Sequence, residues 1–418
     1  MRGVGGRFRV LVCAHAVSTF GNYLNLIALG LFSYEVTGTA FGVGAMMALR
    51  LAAGFTAGLA TGVLPARTTR RRIMVCADVA QAAVMTVLAL GAADTPLWLL
   101  AMAVVVLGAG NTFFTVALRS AVPAMVGRQD RARANGLLVT ARSLAMVIGF
   151  ASAAPVIAAG GYALVFGCNA ASFVVSAAAL LVLRPRTDEE DRAGGEDGPS
   201  PALRTRLLRT AGLPAVLLAL ILLRGVDALA SSSHNVALPV VAHATAPEQP
   251  AVFMTQFWAA WAVGTVLAHL VLRRRRGEAA WGTRAFALGT CAMSLSFIAA
   301  FLGLPAFALV LAAGAAGFAD GWTEIVYVSR LQAAPDRQRS RLFGLSATAE
   351  QFGFALGTVA AAAALETLPA LAVVTAFHGA AAGGALMLLL STSAWRGKSR
   401  SRVAVPPGQK KEDPHGTR

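Results

Sequence analysis

The chain is a succession of long apolar runs separated by short polar breaks. Twelve runs approach the ~20 apolar residues that one helix needs to cross a bilayer. They lie at about 9–34, 40–64, 73–93, 97–121, 133–158, 161–183, 211–241, 251–272, 284–303, 305–330, 342–364 and 369–394. Gly, Ala and Ser recur throughout them, and small residues let helix backbones approach closely in lipid. The pattern predicts an all-α polytopic membrane protein with twelve transmembrane helices. The longest polar break, RPRTDEEDRAGGEDGPSPALRTRLLR, covers 184–209 and is rich in acids, Pro and Gly. Such a composition reads as a solvated linker. It divides the chain into a first six-helix bundle (1–183), a linker (184–210), a second six-helix bundle (211–394) and a basic tail (395–418).

Charge placement sets the orientation. Of 418 residues 56% are hydrophobic and only 13% charged, yet the formal net charge is +16. A basic balance suggests nucleic acid only when a soluble basic face exists, and here none does. Instead, 32 of the 36 Lys and Arg fall in alternate loops, on the side that holds both termini. The opposite loops, around Glu35, Asp94, Gly160, Glu248, Leu304 and Glu366, hold none. By the positive-inside rule both termini are cytoplasmic, in the cell membrane, with anionic lipid facing the basic side. Arg2, Arg7 and Arg9 imitate the start of a signal peptide, but the first run continues to about Tyr34, too far for one. Val12 stands where a lipoprotein cleavage site before Cys13 needs a small residue, so no cleavage is expected.

A direct repeat links the halves. A shift of 208 residues superposes Arg131, Arg133, Gly136 and Leu137 on Arg339, Arg341, Gly344 and Leu345. The same shift places Thr140, Ala141 and Gly149 on Thr348, Ala349 and Gly357. A duplicated six-helix unit puts a binding site between halves near the midplane.

These features resemble the major facilitator superfamily, and most of all its twelve-span drug exporters related to macrolide-efflux and enterobactin-export proteins. After the second span, Gly62-Val-Leu-Pro-Ala-Arg67-Thr-Thr-Arg70-Arg71-Arg72 resembles the signature loop G-x-L-x-D-R-x-x-R-R. The resemblance implies a gating role for Gly62, Arg67 and Arg71. Ala66 replaces the family's Asp, and Asp78 is the substitute partner expected for Arg67 or Arg71. Stretches SYEVTGTAFGVG, DRARANGLLVTARSLA and APDRQRSRLFGL are family-like as well. The antiporter signature of the fifth span carries Gly-Pro and paired glycines. Residues 148–155 here, IGFASAAP, depart from it, so import on the same fold stays open beside export.

Ionisable groups inside the membrane point to function, since each costs about 2.5–3.5 kcal/mol or more at mid-depth. The first half holds Arg50, Arg119 and Arg142 against Asp78. The second holds Arg224 against Asp227, Asp320, Glu324 and Glu350. The 208-residue shift places Arg142 opposite Glu350. Asp320 and Glu324 share a helix face, and two close carboxylates in a poorly hydrated site do not both ionise easily. Asp227, Asp320, Glu324 and Glu350 are therefore the candidate proton-coupling groups; structural pairing with Arg224 or Arg142 is the alternative. Asn22, Asn25, Arg50, Asn111, Arg119, Arg142 and Arg224 are the candidate substrate-cavity residues.

Other classes find little support. Cys13, Cys76, Cys168 and Cys291 are scattered and read as small apolar residues. The six histidines show no metal-ligand spacing, so no metal, cofactor or membrane enzyme is expected. Gly397-Lys398-Ser399 imitates the end of a P-loop, but Thr392 stands at its first glycine. The expected protein is a monomeric secondary transporter exporting a small amphipathic compound, with protons as coupling ion. An importer of the same fold is the runner-up, and a non-transporting sensor a more distant one.

Overall fold

The computed structural model describes residues 6–60, 68–185, 187, 215–274, 282–334 and 336–401. Eleven helices and no strand occur among these residues: α1 (Gly6–Thr37), α2 (Ala40–Ala60), α3 (Arg70–Leu90), α4 (Leu97–Ala151), α5 (Ala153–Leu183), α6 (Ala215–Thr245), α7 (Pro250–Arg274), α8 (Thr283–Ala300), α9 (Ala306–Gln332), α10 (Asp336–Ala364) and α11 (Ala370–Ser401). Gly62 and Arg67, and nearly all of the 184–210 linker, lie outside the described residues.

Among the described residues eleven segments are long and apolar enough to cross a membrane. Two of them, Leu97–Val122 and Arg133–Ala151, belong to the single helix α4. The polar break expected at 122–133 is thus helical. Its Ala, Met, Gln and Arg residues favour helix and outnumber Pro123 and Gly127, which do not, and polarity ends the apolar run without ending the helix. The break expected around Gly160, between the fifth and sixth runs, is present although the stretch there is apolar. There α5 is interrupted by non-helical backbone, with φ +62° at Gly161, a conformation that favours glycine. The predicted segment 342–364 forms the helix α10, but it is not among the eleven apolar segments. Ser346, Thr348, Glu350 and Gln351 make it polar for its length.

Within each half, glycines bring helices to backbone contact. A Cβ on Gly149 of α4 would meet the Phe20 carbonyl of α1. A Cβ on Gly357 of α10 would meet the Leu229 carbonyl of α6. The two contacts are related by nearly the same 208-residue shift as the sequence repeat. Gly108 against Arg50 (α4 on α2) and Gly317 against Trp261 (α9 on α7) form a second such pair of contacts. Of the four free cysteines Cys13 and Cys76 are exposed and none is buried. On helices that cross lipid, a small apolar side chain is as stable on the outer face as in the core.

Candidate functional site

A cavity of about 700 Å³ opens within the first half, among α1 to α5. Asn22 of α1, Arg50 of α2 and Asn111, Arg119 and Arg142 of α4 all line it, as does Asp78 of α3. Arg119 and Arg142 are exposed, whereas Arg50 is half-buried. Arg142 Nε donates to the Tyr23 hydroxyl at 3.1 Å. Asp78 is buried, its Oδ2 without a protein partner, and it forms no ion pair with Arg71 among the described residues. The partnership expected with Arg71 in the gating loop is absent, because Asp78 lies two turns along α3 from Arg71 and lines the cavity instead. Arg70, beside Arg71, donates to the Thr187 carbonyl at 3.0 Å and fastens the start of α3 to the end of the first half. Asn25 is buried in α1 and does not line the cavity.

The second half carries an acid-rich site centred on Arg224. Its Nη1 donates to Asp227 Oδ2 at 3.0 Å and its Nη2 to Glu324 Oε2 at 2.5 Å. Glu350 Oε1 lies 3.9 Å from its Nε. The guanidinium also rests over the Tyr327 ring, 5.7 Å from the centroid. The Tyr327 hydroxyl donates to Ser346 Oγ, which donates to Glu350 Oε1, both at 2.7 Å. Side-chain exposure separates the acids: Asp227 is 4% exposed, Glu350 35% and Glu324 45%. Glu324 and Glu350 therefore border open space, while Asp227 is shut in beside Arg224. All four candidate coupling acids belong to this half, and Arg224 is the cation its ion pairs use. Among the described residues no ion pair joins Arg142 to Glu350, the positions related by the repeat.

Sequence spacing could not show the buried contact between His234 of α6 and His378 of α11. His234 Nδ1 lies 3.1 Å from His378 Nε2, across 144 residues of chain. His234 stacks on Phe297 at 3.8 Å, and Asn235 Nδ2 lies 3.3 Å from His234 Nε2. Asn235 in turn lines a gap of about 50 Å³ between the halves, together with Arg50 and Trp258. Ser232 and Ser233 bond carbonyls of their own helix, at 2.7 and 2.6 Å.

The halves meet along one set of helix ends. Glu366 Oε1 accepts from the Phe41 amide at 2.7 Å, and Thr255 Oγ1 accepts from the Ala154 amide at 2.9 Å. Phe150 stacks on Trp258 at 5.5 Å. His243 Nε2 lies 3.6 Å from Glu35 Oε1, and Tyr162 donates to the same oxygen at 2.6 Å. These contacts cluster near the loops that contain no Lys or Arg.

A model of the Major Facilitator Superfamily matches residues 11–358. The chain belongs to this superfamily. A search of curated proteins finds no match. Among solved structures, the chain is similar to a POT family transporter in complex with a thioalcohol-conjugated peptide, at 11% identity and a TM-score of 0.71. That likeness covers 93% of this chain and 96% of the other. It is also similar to a bacterial homologue of the human lysosomal transporter Spinster in an inward-facing, occupied conformation, at 13% identity and a TM-score of 0.67. There 96% of this chain and 98% of the other are covered. At such identity these likenesses establish the shared fold. The superfamily is one of transporters, and the chain is read as a multi-pass membrane transporter and not an enzyme.

Proposed function

We propose that this protein exports a small amphipathic organic compound, such as a drug, an antibiotic or a secondary metabolite, across the cell membrane by proton antiport. It acts as a monomer of two six-helix units, 1–183 and 211–394, with both termini cytoplasmic. The observation that carries this reading is the division of charged groups: a basic cavity in one half and a carboxylate network around Arg224 in the other. The Lys and Arg distribution along the loops supports the orientation. Contacts between halves close the side that lacks basic loops, so the cavity would face the cytoplasm.

In this scheme a proton arriving from outside neutralises Glu324 or Glu350. The loss of one negative charge weakens its hold on Arg224. The network rearranges, the two units rock about the midplane, and the compound leaves outward while the proton enters. Asp227 keeps Arg224 in place through the cycle, being three residues away and buried.

The test is a sensitivity panel of drugs and metabolites in a host lacking its own pumps, with and without a protonophore, followed by transport of the best compound in everted vesicles. Export should collapse with protonophore and lose its dependence on the pH gradient in Glu324→Gln or Glu350→Gln. Gradient-driven export that is unchanged in both variants would remove these acids from coupling. Accumulation in place of extrusion would establish import.

A further inference from the structure

The structure assigns a charge to the compound: we infer that the first-half cavity takes an organic anion, an apolar body with one acidic group, and that Arg50 holds that group. The inference rests on the transport reading for its physiological meaning, but the binding site stands on its own geometry.

Arg50 forms no ion pair or hydrogen bond with any described residue. It lies in the middle of α2, ten residues from each end of that helix. A cation in this position is costly in lipid and normally finds a counter-charge. Arg224, the arginine inside the spans of the second half, shows what such a residue does when acids are near: it collects three carboxylates within 4 Å. Arg50 has no such company. The one carboxylate in its cavity, Asp78, stays outside ion-pair distance, while Arg119 and Arg142 add two further positive charges toward the exposed part. A guanidinium offers five N–H donors in a fixed fork that matches a carboxylate, sulfonate or phosphate with two parallel hydrogen bonds. The cavity walls suit the rest of such a molecule. Leu26 of α1 and Leu138 and Val139 of α4 give it accessible apolar surface, with Phe114 packed behind His15. Its volume of about 700 Å³ lies in the usual range for small organic ligands. Arg50 also borders the gap between the halves, so a bound anion is placed where both units can sense it.

The experiment uses purified full-length protein in lipid nanodiscs and three probes of equal bulk: 1-naphthoate, neutral 1-naphthamide and cationic 1-naphthylmethylammonium. Titration calorimetry at neutral pH reads their affinities. Naphthoate should bind at least about tenfold more tightly than the amide, and the cation most weakly. Arg50→Gln should bring naphthoate down to the amide's affinity, while Arg50→Lys, which keeps the charge and about the same bulk, should retain a reduced preference. Equal affinity for acid and amide, no binding of the acid, or a preference that survives Arg50→Gln would each overturn the proposal. A fourth arm follows naphthoate in proteoliposomes. Selective binding without movement leaves the anion site in place and removes the transport reading; movement of the amide or the cation alone does the opposite.

Discussion

Arg224 shows how one side chain can be both structural and functional. It is 14% exposed and holds three carboxylates. Removing it leaves the buried Asp227 without its counter-charge, and breaking a buried pair costs about 3–5 kcal/mol. Arg224→Gln should therefore lower the melting temperature strongly, measured by size-exclusion chromatography after heating. Asp227→Asn alone should cost less, because the remaining carboxylates still hold the arginine. The double variant should recover part of the loss if the i,i+3 pair is a unit; full additivity would show that the two act separately. The sequence already separated these charges by half and marked Asp320 and Glu324 as neighbours on a turn. It offered pairing with Arg224 or with Arg142 as the alternative to coupling, and the ion pairs form on Arg224. The partners of Arg224 come from three helices and lie up to 126 positions away, and the hydroxyl relay from Tyr327 through Ser346 to Glu350 has no sequence signal beyond the common residues that form it. The His234–His378 contact is equally silent, since only the packing of α6 against α11 brings the rings together.

Among the helices, glycine placement divides the repeat into positions that matter for packing and positions that do not. Gly149 and Gly357 stand where a side chain would strike the backbone of the neighbouring helix. Gly136 and Gly344, also identical under the repeat, have nothing within 4 Å of a built Cβ. Gly149→Leu and Gly357→Leu should each destabilise by at least about 1–3 kcal/mol through overpacking. Gly136→Ala and Gly344→Ala should be neutral or stabilising by up to about 1 kcal/mol, from helix propensity. Thermal inactivation of all four variants in one detergent checks the contrast. Helix existence was legible because apolar runs of this length have one solution in lipid. Helix ends were less so. The apolar pattern reports where the chain leaves hydrocarbon, and α4 continues past that point because its polar residues are helix formers.

For the whole molecule, the contacts between halves include a polar one that joins α6 to α1. His243 Nδ1 lies 2.8 Å from the Pro239 carbonyl, which can only accept, so this nitrogen carries the hydrogen. That bond fixes the ring with Nε2 turned toward Glu35, 3.6 Å away. Removing either side chain should loosen closure on this side. Spin labels on Thr39→Cys and Thr367→Cys, in a background with the native cysteines replaced, read the separation by pulsed electron resonance. The short-distance population should shrink in His243→Ala and in Glu35→Ala. An unchanged population in both variants would remove this contact from closure.

The glycine contacts inside each half also fix where the molecule can give way. There, carbonyl and Cα atoms touch directly, and a backbone cannot change rotamer. Across the boundary, at Phe150 and Trp258, at Glu35 and His243, at Gly30 and Pro239, the contact is through side chains. Among the described glycines Gly44 alone brings backbone close to the other half, at Thr358 and Ala362. Side chains rotate and re-pack in nanoseconds to microseconds, whereas interlocked backbones shift only as a block. The protein is in mechanical terms two stiff plates joined by a softer seam that is pinned where Gly44 meets α10.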